Sequence, residues 1–187
     1  MKGRSCFTSA TLHCGANRIV WTRDASDCFP SVSPESFEAE LLSLGFRQET
    51  AKLLTMLCTV RSRIPQGSPV SNDALNLYFY RVDGLLHSFC GSMHLAYSRV
   101  ADDFVVSGKS LEPGEKAIGL VERELKKRGI SINHNKKRKN GRQVKHQSRL
   151  VHNICVNSGR GTKLNPEHRT AITHTAESYV AACKSAH

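Results

Sequence analysis

Short segments of the sequence have the composition of β-strands, and acidic residues follow or separate them. Residues 18–23 are rich in β-forming residues and predict a strand that ends at Asp24. Residues 94–107 contain two apolar runs separated at Asp102 and Asp103, which is the pattern of a hairpin with carboxylates at its tip. The pattern therefore predicts a sheet that carries acidic side chains where its strands end.

Capping residues followed by helically spaced apolar residues predict the helices. Ser33 is a candidate N-cap, with a proline at the first helical position and an acid in the first turn. Residues 63–69 are predicted to be irregular because two prolines bracket a glycine there. The mixed order of strands and helices predicts an α+β domain rather than a doubly wound parallel sheet. The predicted helices are residues 34–44, 49–60, 71–89 and 111–128, followed by a strand at 130–133 and a last helix from residue 165.

The composition is that of an ordinary globular protein. The chain has 187 residues, of which 39% are hydrophobic and 23% are charged, so it is long enough for one core and unlike a disordered or fibrous chain. We expect a cytoplasmic protein with no membrane partner, because no apolar run reaches the length of a membrane helix and the first residues lack a secretory signal. Seven cysteines occur without a Cys-x-x-Cys pair, which predicts reduced thiols.

The charge of the chain points to a polyanionic partner. The 27 Lys and Arg against 16 Asp and Glu give a net charge of +11, which favours nucleic acid over a membrane surface. Residues 126–163 contain 12 Lys or Arg and no acid. A solvated or disordered basic tail is one explanation. The apolar residues that interrupt this stretch favour short strands with basic residues on an exposed face.

Adjacent carboxylates in a basic protein need a physical reason, because they repel unless a cation lies between them. Asp24 and the pair Asp102 and Asp103 are expected to meet at one sheet edge and to hold Mg²⁺, which prefers oxygen ligands. Two such ions about 4 Å apart activate a hydroxyl and stabilise a leaving pyrophosphate in phosphoryl transfer. A polar hairpin turn is the alternative explanation for an isolated Asp-Asp pair.

Five segments in order across nearly the whole chain resemble the motifs of reverse transcriptases, most closely the bacterial retron type. The first has an Asp followed five residues later by an aromatic, and the third ends in Ala-Asp-Asp. Each segment alone is a weak signal, whereas the ordered set is specific. The segments are residues 24–32 (DASDCFPSV), 64–69 (IPQGSP), 97–103 (YSRVADD), 129–136 (GISINHNK) and 151–157 (VHNICVN).

The resemblance implies roles for individual residues. Asp24, Asp102 and Asp103 would be catalytic and hold two Mg²⁺ ions, with the backbone of Ala25 adding a carbonyl. Phe29 matches the aromatic that excludes a ribose 2′-hydroxyl, and ordinary core packing is the alternative. For the remaining residues a plain turn or a solvated charge is the alternative. The implied nucleotide contacts are Arg4, Gln66, Gly67 and Lys136, and the implied nucleic-acid contacts are Arg99, Lys137, Arg138, Lys139, Arg142, Lys145 and Arg149.

The resemblance also implies a fold and partners. It predicts a polymerase palm, an antiparallel sheet with helices packed on one face and an RRM-like core, formed by residues 23–160. Residues 1–22 would be partial fingers, and residues 161–187 the start of the thumb or a connecting helix, so the thumb is largely absent. The implied activity is RNA-directed DNA polymerisation from dNTPs, with an RNA template and a DNA or RNA primer. A structured non-coding RNA or a protein is the candidate source of the missing fingers and thumb.

Two other functions stay open at this point. The first is a catalytically idle palm that binds RNA as a defence or regulatory module, although such a module has no physical need for the three aspartates. The second is a zinc-dependent nucleic-acid binder, although structural zinc sites use tighter, paired ligand spacing. The segments that suggest zinc are His87-x-x-Cys90-x-x-x-His94 and His152-x-x-Cys155. Val100 departs from the family pattern, which has a tyrosine before Ala-Asp-Asp.

Overall fold

The computed structural model describes residues 6–14, 19–133, 142–143, 150–152, 154–156 and 163–164. Helices and strands are mixed along this part of the chain. The helices are α1 (Cys6–Thr11), α2 (Pro34–Ser43), α3 (Gln48–Cys58), α4 (Ser71–Tyr78), α5 (Tyr80–Ser92) and α6 (Leu111–Lys127). The strands are β1 (Ile19–Asp24), β2 (Ala96–Val100), β3 (Asp103–Gly108), β4 (Arg142–Gln143), β5 (Leu150–Val151), β6 (Ile154–Cys155) and β7 (Lys163–Leu164).

Four of the strands form an antiparallel sheet in the order β2-β3-β1-β4. In the central pair, Ile19 of β1 lies opposite Gly108 of β3, and Asp24 lies opposite Asp103. Strands β5, β6 and β7 form a second, three-stranded antiparallel sheet. The predicted α+β class, the strand that ends at Asp24 and the hairpin are therefore confirmed.

Each face of the four-stranded sheet packs against a different part of the chain. Trp21 and Val106 belong to a large core that includes the buried faces of α5 and α6. Val20 and Val105 belong to a smaller core with residues of α1 and of the β5–β6 hairpin. All six residues of β3 are buried. The helices predicted for one face are thus present, and the opposite face is covered as well.

The sequence signals for helix ends are accurate at α2. The Ser33 hydroxyl accepts a hydrogen bond from the Ser36 backbone N–H at 3.2 Å, which satisfies one of the free amides of the first turn. The chain leaves the helix at Gly45 with φ of +91°, a conformation that glycine adopts without strain. The predicted start and stop of this helix are confirmed.

The single helix predicted over residues 71–89 is wrong in detail, since the structure divides it into α4 and α5 at Phe79. Phe79 is fully buried, and its ring packs edge-on against Tyr78 and Phe104. The guanidinium carbon of Arg99 lies 5.0 Å from the centroid of the Phe79 ring. We attribute the break to this packing, which periodicity along the chain does not encode.

The strand predicted at residues 130–133 is also wrong. Ile132 forms only an isolated antiparallel bridge with Ala25, and this short contact lies directly after the end of β1. Two backbone hydrogen bonds flank the bridge, from Ser26 N–H to the Ser131 carbonyl (2.7 Å) and from Asn133 N–H to the Asp24 carbonyl (2.9 Å). The segment therefore closes over the end of β1 rather than extending the sheet. The helix predicted from residue 165 lies outside the described residues.

Two expectations from composition concern thiols and membranes. The described cysteines, Cys6, Cys14, Cys28, Cys58 and Cys90, are all free. None of the described helices is long and apolar enough to span a membrane.

Replacing Gly114 with alanine is expected to destabilise the protein by about 1–3 kcal/mol through overpacking. An alanine Cβ at this position of α6 would lie 2.1 Å from Cη2 of Trp21, whose ring is buried in the large core. Urea unfolding followed by circular dichroism measures the change.

The matched control is Gly119→Ala in the same helix, where nothing lies within 4 Å of the new Cβ. The control should stabilise by about 0.5–1 kcal/mol, because alanine is the better helix former. Equal effects at the two positions would contradict the packing argument.

Candidate active site

The structure brings three of the predicted acidic residues to one end of the sheet. Asp24 ends β1 and Asp103 begins β3, directly opposite it. Directly opposed residues of an antiparallel pair share one face, with Cβ atoms about 5 Å apart. Asp102 precedes Asp103 in the turn, and its carbonyl accepts a hydrogen bond from the Ala25 N–H at 2.9 Å. Asp24, Ala25, Asp102 and Asp103 are therefore neighbours.

The hairpin turn that carries Asp102 is held by a buried arginine. Ala101, the first residue of the turn, has φ of +52°, a strained conformation for a residue with a side chain. The Arg99 Nη1 donates to the Ala101 carbonyl at 2.7 Å. The same guanidinium makes two bonds to the Asp83 carboxylate of α5, from Nε at 2.9 Å and from Nη2 at 2.6 Å. An ion pair thus anchors the strained turn to α5.

Arg99 does not occupy the place expected of a nucleic-acid contact. Only 3% of its side chain is exposed, and the guanidinium stacks over the Phe79 ring. Burial by itself lowers the pKa of Arg99, but the hydrogen bonds and charge of Asp83 raise it above its ordinary value. The sequence prediction for this residue is corrected accordingly: Arg99 supports the turn from inside the protein, because its charge is already satisfied there.

The carboxylates of Asp24 and Asp103 are buried, with relative exposures of 3% and 8%. The side-chain amide of Asn133 donates to Asp24 Oδ2 at 3.3 Å. His152 Nδ1 lies 3.0 Å from Asp103 Oδ2, whereas the buried Oδ1 of Asp103 has no hydrogen-bond partner among the described residues. Two opposed buried carboxylates repel each other. An orphaned oxygen beside a second carboxylate is a donor set that fits a hard divalent cation.

This donor set does not amount to a complete protein cage for a metal. Within the described ranges there is no group of three His, Cys, Asp or Glu side chains able to hold a metal ion. Mg²⁺ commonly binds through one or two carboxylates and takes its other ligands from water and substrate phosphates. The geometry therefore fits a cation shared between the protein and a nucleotide. The zinc segments quoted above form no such group either, as far as the structure describes them.

Cys28 and Phe29 lie four and five residues after Asp24 in the chain. Burial, followed by the negative charge of Asp102, raises the pKa of the Cys28 thiol to about 12, so this thiol stays protonated and is neither a nucleophile nor a thiolate ligand at neutral pH. Phe29 is half-buried and packs against the large core. Core packing is thus what the structure shows for Phe29, and contact with a sugar stays a prediction.

Gln66 and Gly67 lie on the exposed loop that joins α3 to α4. Gly67 has φ of +85°, and nothing lies within 4 Å of where a Cβ would be, so the loop leaves space above this backbone. Ser71, the first residue of α4, donates a side-chain hydrogen bond to the Pro65 carbonyl. This bond and the buried side chain of Ile64 hold the base of the loop.

Apart from Arg99, Arg142 is the predicted basic contact that lies among the described residues. It lies in β4, pairs with β1, and its Nη1 donates to Glu115 Oε1 at 3.3 Å with about half of its side chain exposed. The other predicted basic residues, Arg4, Lys136, Lys137, Arg138, Lys139, Lys145 and Arg149, lie outside the described residues.

Residues 1–147 match the family model described as "Reverse transcriptase (RNA-dependent DNA polymerase)". The chain belongs to the reverse transcriptase family. The chain is 33% identical over 135 residues to the retron Ec86 reverse transcriptase of Escherichia coli, and 30% identical over 154 residues to the retron Mx65 reverse transcriptase of Myxococcus xanthus. The matches cover 72% and 73% of this chain but 42% and 36% of those relatives. The chain thus spans about two fifths of their length.

Two solved telomerase structures share the fold of this chain at low sequence identity. The structure of telomerase from Candida albicans in complex with a fragment of telomeric RNA has a TM-score of 0.61 at 10% identity, covering 80% of this chain and 32% of that one. Apo telomerase from Candida tropicalis has a TM-score of 0.60 at 11% identity, covering 79% of this chain and 35% of that one. At these identities the likeness concerns the fold alone.

The sequence patterns predicted no contact with the aspartates for three residues of this candidate site. Asn133 and His152 both occur in the matched motifs, and each contacts one of the aspartates. Asp83 occurs in no motif, yet it holds Arg99. The sequence shows His152 after the apolar Val151 in a motif segment, which does not identify its partner 49 residues away.

Proposed function

We propose that this chain is the palm portion of a retron-type RNA-directed DNA polymerase, which extends a primer on an RNA template. The observation that carries the proposal is the placement of two buried carboxylates, Asp24 and Asp103, opposite each other at the end of β1 and β3, with Asp102 in the adjoining turn. In a chain of net charge +11 such an acidic cluster has no structural need. An idle RNA-binding module would not require it, so that alternative is not favoured.

The proposed domain division follows the sequence motifs. Residues 23–160 form the palm, residues 1–22 belong to the fingers, and residues 161–187 lead to the thumb. Because the chain spans about two fifths of the length of its retron relatives, we propose that further fingers and thumb segments, or a structured non-coding RNA, act with it. The basic residues between 126 and 163 would grip the template-primer backbone, with little dependence on its sequence and a steep dependence on salt.

Asp24, Asp102 and Asp103, together with the backbone at Ala25, would hold divalent cations, for which we propose two Mg²⁺ ions. When bound, such ions activate the primer hydroxyl and stabilise the leaving pyrophosphate. The protein itself orients the carboxylates: the β1–β3 register sets Asp24 against Asp103, Asn133 and His152 each bind one of these two carboxylates, and the turn carries Asp102. Arg4, Gln66, Gly67 and Lys136 remain proposed contacts of the incoming nucleotide.

Primer extension by the full 187-residue chain tests the proposal. The chain is incubated with an RNA template, an annealed DNA primer, dNTPs and Mg²⁺. Incorporation of dNTPs in the order set by the template is the expected result, and it should disappear when a chelator removes Mg²⁺. A chain that binds the primer-template but incorporates nothing, alone or with the missing segments supplied in trans, would overturn the enzymatic proposal and favour the RNA-binding module.

Replacing Phe29 with valine is expected to reduce discrimination against ribonucleotides by about tenfold or more, because the smaller side chain leaves room for a 2′-hydroxyl. The ratio of kcat/KM for dNTP and rNTP incorporation measures the effect. Phe46→Val is the matched control, since Phe46 is also half-buried against the large core. The control should lose similar packing and keep the wild-type ratio. Unchanged selectivity in Phe29→Val would leave this residue a core residue only.

A further inference from the structure

A continuous series of buried and partly buried polar contacts crosses the face of the sheet that α1 and the β5–β6 hairpin cover. It starts at Asp103, whose Oδ2 lies 3.0 Å from His152 Nδ1. His152 Nε2 lies 3.1 Å from Ser9 Oγ of α1, and Ser9 shares a hydrogen bond of 2.8 Å with the Ser98 hydroxyl of β2. His13 completes the series, with Nε2 at 2.8 Å from Ser98 Oγ and Nδ1 at 2.8 Å from Ser107 Oγ of β3.

The geometry of His152 leaves it little freedom. Its side chain is 5% exposed, and its φ of +50° is a left-handed conformation that histidine and asparagine adopt more readily than most residues. Val151 of β5 precedes it, Ile154 of β6 follows two positions later, and both are buried in the smaller core. The imidazole is therefore held from its backbone by the β5–β6 hairpin and from its Nε2 by Ser9.

The contact with Asp103 joins a ring nitrogen to a carboxylate oxygen. An ionised carboxylate only accepts hydrogen bonds, so an ionised Asp103 accepts through Oδ2 from the N–H at Nδ1 of His152. The other oxygen, Oδ1, is buried and has no hydrogen-bond partner among the described residues. A carboxylate held at one oxygen keeps the second oxygen in a fixed direction, which is how outer-shell partners orient metal ligands.

We propose that His152 is a positioning residue that fixes the carboxylate of Asp103 through Oδ2 and leaves Oδ1 for a divalent cation. Ser9 holds the imidazole from its far side, so α1, which precedes the palm strands, and the β5–β6 hairpin, which follows them, set the geometry of the site together. The inference rests on the proposed function for the part that concerns the cation. It assigns no catalytic contact to His152 itself.

Manganese binding by the full chain without nucleic acid tests the proposal, with electron paramagnetic resonance as the readout. His152→Ala removes the donor and is expected to raise the dissociation constant for Mn²⁺ about tenfold, the lower end of the effect of removing an outer-shell partner. His152→Asn places an amide nitrogen where Nδ1 was and tolerates the positive φ, so it should stay within about threefold of the wild type. His94→Asn, at an exposed histidine that also has a positive φ, is the matched control and should bind as the wild type does.

The outcomes separate a positioning role from a merely structural one. Wild-type Mn²⁺ affinity in His152→Ala, or equal losses in the alanine and asparagine variants, would overturn the proposal. If His152→Ala does not fold, His152→Gln replaces it, because its amide lies one carbon further from the backbone and loses the bond to Asp103. Recovery by asparagine but not by glutamine supports the proposal, and the reverse order contradicts it.

A second readout keeps the inference distinct from the proposed function. The imidazole ¹⁵N resonances of His152 are recorded at one fixed pH in the wild type and in Asp103→Asn. A shift confined to His152 supports the contact, and unchanged resonances overturn it, whether or not the chain binds metal. Wild-type protein that binds Mn²⁺ no better than Asp24→Asn would instead contradict the metal site of the proposed function.

Discussion

Replacing Asp102 with asparagine is expected to lower the kcat of the primer extension proposed for this chain by at least about 100-fold, the scale on which loss of one preorganised electrostatic group acts. The substitution preserves the volume of the side chain and removes its negative charge. The turn that carries Asp102 is anchored by the Arg99 bond to the Ala101 carbonyl, which the substitution leaves in place. We therefore expect the fold to be retained while the capacity to bind a cation is lost.

The matched control for this variant is Asp27→Asn. Asp27 is an exposed aspartate close to the site in sequence, and its φ of +47° suits asparagine. Extension by the control should equal that of the wild type. Binding of a labelled RNA-DNA duplex, measured by fluorescence anisotropy, should change by less than about twofold in either variant, because phosphate contacts are made by basic residues. Loss of duplex binding together with extension in Asp102→Asn would show that the aspartate is structural.

Replacing Asp83 with alanine destabilises the protein by about 3 kcal/mol or more, because it leaves the guanidinium of Arg99 buried without its counter-ion. The Asp83 carboxylate accepts two hydrogen bonds from Arg99 and one from the Tyr97 hydroxyl at 2.7 Å. All three bonds are lost at once, and Arg99 keeps uncharged acceptors, the Ala101 carbonyl and the Asn76 side-chain carbonyl at 3.2 Å from Nη2. The free energy of unfolding from urea titration measures the effect, and Asp83→Asn, which keeps one carbonyl acceptor, should fall between alanine and the wild type.

An exposed ion pair provides the control for Asp83→Ala. Glu112 and Lys116 of α6 form an i, i+4 pair whose side chains are mostly exposed, so Glu112→Ala should leave the urea midpoint unchanged. Because Arg99 also holds the Ala101 carbonyl, Asp83→Ala should lower primer extension in conditions where the chain is still folded. A variant with wild-type stability would mean that the Arg99 charge finds another partner or reaches solvent.

Many helix ends and strands can be predicted from the sequence because local interactions determine them. The cap at Ser33 and the left-handed glycines at Gly45 and Gly129 mark helix ends through bonds and dihedral angles within a few residues. The β-forming residues of β1 and the two apolar runs of the β2–β3 hairpin identify these strands for the same reason. The ordered motifs also identified the family, which the match over residues 1–147 confirms.

The contacts that make the site depended on chain segments far apart in sequence. The residues around each aspartate do not predict that Asp24 lies opposite Asp103, because strand register follows from packing on both faces of the sheet. The same holds for Arg99: a basic residue in a nucleic-acid-binding family suggests a surface contact, and only the position of Asp83 on α5 turns it inward. The boundary between α4 and α5 falls at Phe79, whose ring packs against Phe104 of β3.

By itself, the sequence determined the family, the α+β class and the acidic residues at the strand ends, since these depend on residue types at short and regular spacing. The tertiary structure decided which oxygen of Asp103 is held and which is free, through a histidine 49 residues away and a serine of α1. The reason is physical: the free energy of a buried hydrogen bond depends on where the folded chain places its two partners, and their distance along the sequence carries no information about that placement.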